Sequence, residues 1–292
     1  MDNMIRALSE DGGVIFCGLD STNIVRQMEE YHHPSAVVTA ALGRLLTAGS
    51  LMGIMMKRAE DSITLRVEGG GPAGRLVAVS DGLGNVRGYA TNPIVEIPAR
   101  ADGHLNVGGA VGTNGTLSVV RDLGLKEPYV GQIPLVSGEI AEDIASYYAV
   151  SEQIPTVCAL GVLVNPDLTV SVAGGFLLQL LPGASEEEIS RLESNIAAMP
   201  SMTTMLSQGK TPEDIMNLAL AGFNPNILDT YQVDYKCKCS EERVRKILCS
   251  LGKKDLQELK EEDAIAEVKC EFCDKVYRVD VREIIAELED NR

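Results

Sequence analysis

The chain has 292 residues, 45% of them apolar, enough for two domains or for one domain with an appendage. Its formal charge of −16, from 42 acidic against 26 basic residues, disfavours nucleic acid as a partner, because such binding relies on Lys and Arg neutralising phosphates. Aromatic residues are sparse (four Phe, eight Tyr, no Trp), and glycine, at 28 residues, clusters between positions 69 and 175, which predicts a β-rich region with many turns. Residues 1–10 carry Asp2, Arg6 and Glu10 and no apolar run, so no targeting segment is expected. The most apolar long stretch, residues 36–56, is interrupted by Arg44 and rich in Gly, Ser and Thr; it reads as a buried helix, and no membrane partner is expected. A reducing, cytoplasmic location follows as the default. In such a compartment, clustered cysteines are metal-bound or redox-active more often than permanently cross-linked.

Residues 4–20 predict two strands around a turn at Asp11, Gly12 and Gly13. Thr22 caps a helix to about Tyr31, and His33-Pro34-Ser35 breaks and restarts the chain. Pro34 is tolerated in a first helical turn, where its missing N–H would have no partner anyway. A helix rich in Ala, Gly and Ser then runs to about Lys57, its small side chains allowing close packing on both sides. From Ile63 the pattern changes to short strands, at 64–67, 75–79 and 86–89, the last two flanking a turn at 81–85. More strands are expected at 104–107, 116–121, 129–136, 157–164 and 168–173, with a hairpin turn at 165–167, and Ser137 caps a helix over 138–149. Strands joined mostly by turns, with a few helices set apart, predict an α+β fold.

After Gly183 the strands stop. Ser185 and Glu188 make a capping box, and Ile189, Leu192 and Ile196 follow at helical spacing. Thr211-Pro212-Glu213-Asp214 opens a second helix carrying Ile215, Leu218 and Leu220. The pattern divides the chain into a β-rich body (1–180), a helical linker (181–232) and a C-terminal domain (233–292).

The last domain holds the most specific chemical signal. Cys237 and Cys239 lie one residue apart, Cys270 and Cys273 two apart, with thirty residues between the pairs. Two short pairs brought together by folding supply the four thiolates that a tetrahedral zinc ion takes at about 2.3 Å. The same thiols could instead form disulfides by thiolate attack, and the two readings are compatible. A purely structural zinc clip is the plain alternative. A helix is expected from Ser240 to about Leu251, ended by Gly252, and another near 254–262. Strands at 266–269 and 275–279 flank Cys270-Glu271-Phe272-Cys273 as a hairpin with the knuckle at its tip. Asp280 and Glu283 cap a final helix with Ile284, Ile285 and Leu288 on its buried side. So few large apolar groups make a thin core. A metal would then supply a large share of the folding energy, on the order of 10–16 kcal/mol in small fingers.

Enzyme readings fare badly. The three histidines, His32, His33 and His104, form no metal-hydrolase pair, and no Walker loop is present. The glycine run at 69–74 reads as a turn between strands and not as a phosphate cradle. Cys17 and Cys158 lie in apolar strand patterns and read as buried hydrophobes, and Cys249 is off the spacing of the pairs and is not expected to be a ligand. The runner-up is a thiol–disulfide oxidoreductase, but its Cys-x-x-Cys would open a helix after a strand, where the helix dipole lowers a thiol pKa. A zinc-clipped interaction module is the other alternative.

At these residues the chain resembles the redox-regulated 33 kDa heat-shock chaperonin family. The resemblance spans the whole length and rests on Cys237-x-Cys239 with Cys270-x-x-Cys273, on His33-Pro34-Ser35 before a small-residue helix, on Glu68-Gly69-Gly70-Gly71-Pro72, and on Glu271-Phe272-Cys273. It implies an ATP-independent holdase and no enzymatic activity. In the reduced, inactive state Cys237, Cys239, Cys270 and Cys273 would hold one Zn²⁺ per chain. Oxidants would form the disulfides Cys237–Cys239 and Cys270–Cys273 and release the ion. The C-terminal domain and linker would then unfold, homodimers would bind unfolding client proteins, and clients would pass to ATP-dependent chaperones. Neighbour pairing costs least in loop closure, although a one-residue loop should be strained and easily reduced. Met199, Met202 and Met205 lie in the linker; thioethers suit promiscuous contacts, but core packing is the leading reading for them.

Overall fold

The computed structural model describes residues 1–262 and 264–290. The chain divides into two compact units, Met1–Lys236 and Cys237–Arg292. In the first, β1 (Asp2–Leu8) and β2 (Val14–Asp20) form the expected hairpin. The turn is closed by Asp11, which accepts the Gly13 N–H at 3.0 Å, and by Ser9, whose hydroxyl accepts the Val14 N–H at 2.9 Å. Next come α1 (Thr22–His32) and α2 (Ala36–Gly53). The cap position of α1 is Ser21 and not Thr22; the Thr22 N–H is taken by the Asp20 carboxylate at 3.0 Å. His33 ends α1 in the left-handed region, at φ 42°. Ser35 ties the restart to a distant loop, with its N–H on the Pro93 carbonyl at 3.0 Å and its hydroxyl accepting the Val95 N–H at 3.1 Å. The His-Pro-Ser motif is thus a joint between two helices.

Then follow β3 (Ser62–Glu68), β4 (Arg75–Asp81), β5 (Val86–Ala90), α3 (Val107–Val111), β6 (Thr116–Asp122), β7 (Tyr129–Pro134), α4 (Ala141–Tyr147), β8 (Thr156–Val164) and β9 (Val170–Leu180). The order β5-β4-β3-β6-β7 makes one antiparallel sheet. The helix α2 packs on β3, β4 and β5 of this sheet and on β2, β8 and β9 of the other, so it sits between layers. All its residues but Ala36 and Arg44 are buried. By length and apolarity this helix could cross a membrane, but 89% of it is buried inside the unit, as a core helix should be. Its polar groups are satisfied internally: the Thr47 hydroxyl bonds the Gly43 carbonyl at 2.8 Å and meets Ser21 at 2.7 Å, and Ser50 bonds the Gly84 carbonyl at 2.6 Å.

Three local expectations need correction. Residues 104–106 form no strand, and α3 starts at Val107, because the Asn106 side chain accepts the Gly109 N–H at 3.0 Å and caps a helical turn. Ser137 does not cap the following helix. The buried Asp143 carboxylate gathers the N–H groups of Val136 at 2.7 Å and Ile140 at 3.0 Å, and α4 begins at Ala141, running into a π-turn over Tyr148–Glu152. The strand expected at 168–173 is longer: β9 continues to Leu180 because it pairs with β2 as well as with β8.

The glycine run after β3 turns the chain toward β4, and its composition has a packing cause. A Cβ on Gly69 would stand 2.2 Å from the Gly112 carbonyl oxygen, and one on Gly71 would stand 2.4 Å from the Ala110 carbonyl oxygen. The turn lies directly on the backbone at the end of α3, and no side chain fits between. Gly69→Ala is expected to destabilise the first unit by about 1–3 kcal/mol, visible as a lower denaturant midpoint. An unchanged midpoint would show that this backbone contact yields without cost.

The first sheet is completed from further along the chain. Residues 185–222 form three helices rather than two: α5 (Glu186–Ala198), α6 (Met202–Ser207) and α7 (Pro212–Ala219). The capping boxes at Ser185–Glu188 and Thr211–Asp214 are both formed, and Pro200 and Gly209 fall in the breaks. After them β10 (Asn226–Val233), which sequence patterning does not reveal, pairs with β1 and gives the order β10-β1-β2-β9-β8. Period-two alternation gives this sheet two buried faces. Met4, Cys17 and Leu177 face the α2 core, whereas Ile5, Phe16, Phe176 and Leu178 face α5–α7. Met202 and Met205 are buried in that second core and Met199 packs at its edge, which settles their role as packing residues.

The second unit contains α8 (Glu241–Ser250), α9 (Lys253–Glu262), β11 (Ile265–Lys269), β12 (Val276–Asp280) and α10 (Val281–Asp290). Ser240 caps α8 by accepting the Arg243 N–H at 3.2 Å, and Asp280 caps α10 by accepting the Arg282 N–H at 2.9 Å. Its core among the described residues is Val244, Leu248, Leu256, Tyr277, Val279, Val281 and Ile284, with Cys239 and Cys249 packed at the margin. This is the thin core expected from composition.

Candidate metal centre

β11 and β12 pair in register from Ile265↔Asp280 to Lys269↔Val276, which leaves the segment 270–275 as the hairpin tip. There the Cys270 N–H bonds the Lys275 carbonyl at 3.0 Å, and the Cys270 carbonyl accepts the N–H groups of Cys273 at 3.3 Å and Asp274 at 2.8 Å. Asp274 takes the left-handed conformation, φ 58°, which Asp tolerates better than most residues, and its carboxylate meets the Lys269 ammonium at 2.9 Å. The tight turn aims both sulfurs the same way. Cys237 and Cys239 enter from the segment just before Ser240, the cap of α8.

The four sulfurs converge. Cys237 Sγ lies 3.6 Å from Cys270 Sγ, Cys239 Sγ lies 3.4 Å from Cys273 Sγ, and all four are within 4.8 Å of one another. A tetrahedral ion with metal–sulfur bonds of about 2.3 Å sets its ligand sulfurs roughly 3.8 Å apart, so the spacing suits such an ion. All seven cysteines are free thiols. Cys249 packs against the small core and stands outside the quartet. Cys17 and Cys158 lie in β2 and β8, and burial pushes both thiols up, Cys17 to about 12, so neither is a ready nucleophile.

The quartet is electrostatically uneven. Burial raises Cys237 and Cys273, and the Cys237 sulfur receives the Cys239 backbone N–H while that of Cys273 receives the Lys275 N–H. Burial pushes Cys239 upward too, but there hydrogen bonds prevail, first that donated by the Tyr277 hydroxyl at 3.0 Å and then those of the other cysteines, and hold it down at about 7. Tyr277 is itself raised, first by that bond to Cys239. Lysines 236, 238, 269 and 275 flank the four cysteines in an otherwise acidic chain. A divalent ion on four thiolates would carry a net charge of about −2.

A family model described as Hsp33 protein matches residues 2–280 of the chain. The chain belongs to the Hsp33 family. It is 50% identical over 289 residues to the 33 kDa chaperonin of Clostridioides difficile (strain 630), covering 99% of both chains. It is 48% identical over 283 residues to the 33 kDa chaperonin of Lachnoclostridium phytofermentans, covering 97% of both. The crystal structure of the 33 kDa chaperonin of Thermotoga maritima superposes with a TM-score of 0.91 at 37% identity, over 99% of each chain. Hsp33 proteins are chaperonins and not enzymes, so the oxidoreductase reading is set aside. The position of the Cys-x-x-Cys agrees with this, in a hairpin facing a second cysteine pair and not at a helix N-terminus. Sequence reasoning brought the four cysteines together but passed over Tyr277. The available signal was its place in alternation with Val279, four residues after Cys273.

Proposed function

We propose that this member of the Hsp33 family is a redox-regulated, ATP-independent holdase that works in three segments: the body 1–180, the linker 181–232 and the switch 233–292. The observation that carries the reading is a convergent thiol quartet inside a unit whose own core is thin. In the reduced state Cys237, Cys239, Cys270 and Cys273 are the ligands of one Zn²⁺ per chain. The bound ion supplies a tetrahedral cross-link worth on the order of 10–16 kcal/mol, as in small zinc fingers, and no catalysis.

With a hydroperoxide as oxidant, one thiolate attacks a peroxide oxygen, the O–O bond breaks, and a sulfenic acid and hydroxide form. A second thiolate attacks that sulfur, the S–O bond breaks, and a disulfide and a second hydroxide result. Each disulfide passes two electrons to one peroxide. The pairs are Cys237–Cys239 and Cys270–Cys273, and their sulfurs, now neutral, no longer serve as thiolate ligands. Without the cross-link the small core is too thin to hold its unit folded.

The linker follows, beginning with α5, its most weakly packed helix. In α5 only Leu192 is buried, and beneath the helix lies a groove of about 400 Å³ lined by Val157, Leu178, Ile189, Leu192 and Ile196. Release of α5–α7 bares the sheet face of Ile5, Phe16, Phe176 and Leu178, an apolar surface for unfolding clients. The active form is a homodimer in the cytoplasm that passes clients to ATP-dependent chaperones. Reduced, zinc-loaded protein treated with peroxide at a mildly unfolding temperature is expected to release its zinc and to suppress aggregation of a client in step. Zinc release with no protection of the client would sink the holdase reading.

A further inference from the structure

We propose that Tyr277 is a positioning residue of the switch, joining the small core of the C-terminal unit to the Cys239 sulfur and slowing the oxidation of that thiolate. Two observations carry this. The Tyr277 ring is buried, 7% exposed, in the core formed with Val244, Leu248, Val279 and Ile284. Its hydroxyl reaches out of that core to donate a hydrogen bond to Cys239 Sγ at 3.0 Å.

The placement follows from the hairpin. Tyr277 and Val279 occupy the inward face of β12, while Val276 and Arg278 point outward. Register with β11 sets Tyr277 opposite Val268, just inside the knuckle, so a rigid ring on this strand reaches the far cysteine pair across the quartet. The Lys275 ammonium lies 4.9 Å from the ring centroid. A cation on the ring face draws electron density from it and makes the hydroxyl a stronger donor.

A hydrogen bond donated to a thiolate has two effects. It stabilises the anionic ligand, as outer-shell partners of metal ligands do. It also takes electron density from the sulfur and so lowers its nucleophilicity. The bond therefore opposes the first chemical step, in which Cys239 Sγ attacks a hydroperoxide oxygen, the O–O bond breaks, and hydroxide leaves as the sulfenic acid forms. A second quartet thiolate then displaces hydroxide from that sulfur to give the disulfide. Loosening of the core withdraws the hydroxyl, so warming exposes the sulfur to attack before the unit has opened fully. Tyr277 thus makes oxidation of the quartet sensitive to unfolding conditions.

The inference rests on the zinc-switch reading, and the test separates the two. Full-length wild type, Tyr277→Phe and Val279→Ala are loaded with zinc, and three quantities are measured: zinc affinity by chelator competition, the rate of zinc release under hydrogen peroxide, and the thiolate-to-metal absorption of the Co²⁺-substituted protein. Tyr277→Phe keeps the ring in the core and removes only the hydroxyl. It is expected to weaken zinc binding roughly tenfold, to speed peroxide-driven release severalfold, and to shift the Co²⁺ charge-transfer band. Val279→Ala thins the same core with the hydroxyl in place and is expected to leave the band unmoved. Wild-type affinity, release rate and band in Tyr277→Phe would overturn the proposal. So would Val279→Ala reproducing all three changes, since the effect would then be core stability alone. Failure of the wild type itself to bind zinc would overturn the function proposed above and this inference with it.

Discussion

Replacing Cys270 with serine is expected to lower zinc affinity by about 100-fold and to leave the C-terminal unit largely unfolded at temperatures where the wild type is folded. Shared among four ligands, the roughly 10–16 kcal/mol of a small structural zinc site comes to about 3 kcal/mol each, and about 1.4 kcal/mol is a tenfold change in affinity. Serine is nearly isosteric but offers a hard hydroxyl that keeps its proton where a soft thiolate is needed. The hairpin tip suffers little directly, because its turn is closed through backbone atoms, Cys270 N–H to Lys275 O and Asp274 N–H to Cys270 O. The loss is therefore one of metal ligation. Cys249→Ser is the matched control: it changes a cysteine of the same unit that packs at the core margin outside the quartet. Its metal stoichiometry and affinity should equal those of the wild type. Calorimetric or chelator titration of both variants checks the assignment. Wild-type affinity in Cys270→Ser, or a lost ion in Cys249→Ser, would contradict it.

The second large effect is expected from removing the metal without touching the sequence. A strong chelator added to the reduced protein should melt Cys237–Arg292 while the two sheets and α2 of Met1–Lys236 stay folded. The reason lies in how differently the units are built. The first has α2 buried between two five-stranded sheets, with helices over the outer face of one of them. The second has a two-stranded hairpin and a core of seven buried apolar residues among those described. Units of such unequal packing open at unequal free-energy cost. Hydrogen exchange should then show amides of α8, β11 and β12 losing protection on chelation while those of α2, β3 and β4 keep theirs. α5 should respond next, since Leu192 is the one side chain it buries, whereas α6 and α7 bury Met202, Met205, Ile215 and Met216. Uniform loss of protection along the chain, or none in the second unit, would argue against a metal-dependent domain.

Much of the body was legible because its signals are local. Turn residues between apolar runs marked the β1–β2 and β4–β5 hairpins, small residues marked α2 as a two-sided helix, and Ser185–Glu188 announced the start of α5. The errors arose where a polar side chain a few residues away took over a turn. Asn106 curled an expected strand into α3, and Asp143, not Ser137, organised the entry to α4. β10 escaped because its residues are mostly exposed and their ladder partner, β1, is more than two hundred residues away. No local period reports such a pairing, which is a property of the closed sheet.

The same division holds at the four cysteines. Their identity and spacing lie in the sequence, because a metal's demand for soft ligands is met by residue type and by two short pairs. That β11 and β12 would aim one pair at the other, and that the sulfurs would stand 3.4 and 3.6 Å apart across the pairs, only the folded hairpin decided. The inequality among the four thiols is likewise tertiary. The alternation that buries Tyr277 can be read along β12, but the 3.0 Å reach of its hydroxyl to Cys239 joins residues 38 apart in the chain. Ligand chemistry is carried by residues one at a time, whereas the hydrogen bonds and burial that grade those ligands depend on distances that folding alone sets.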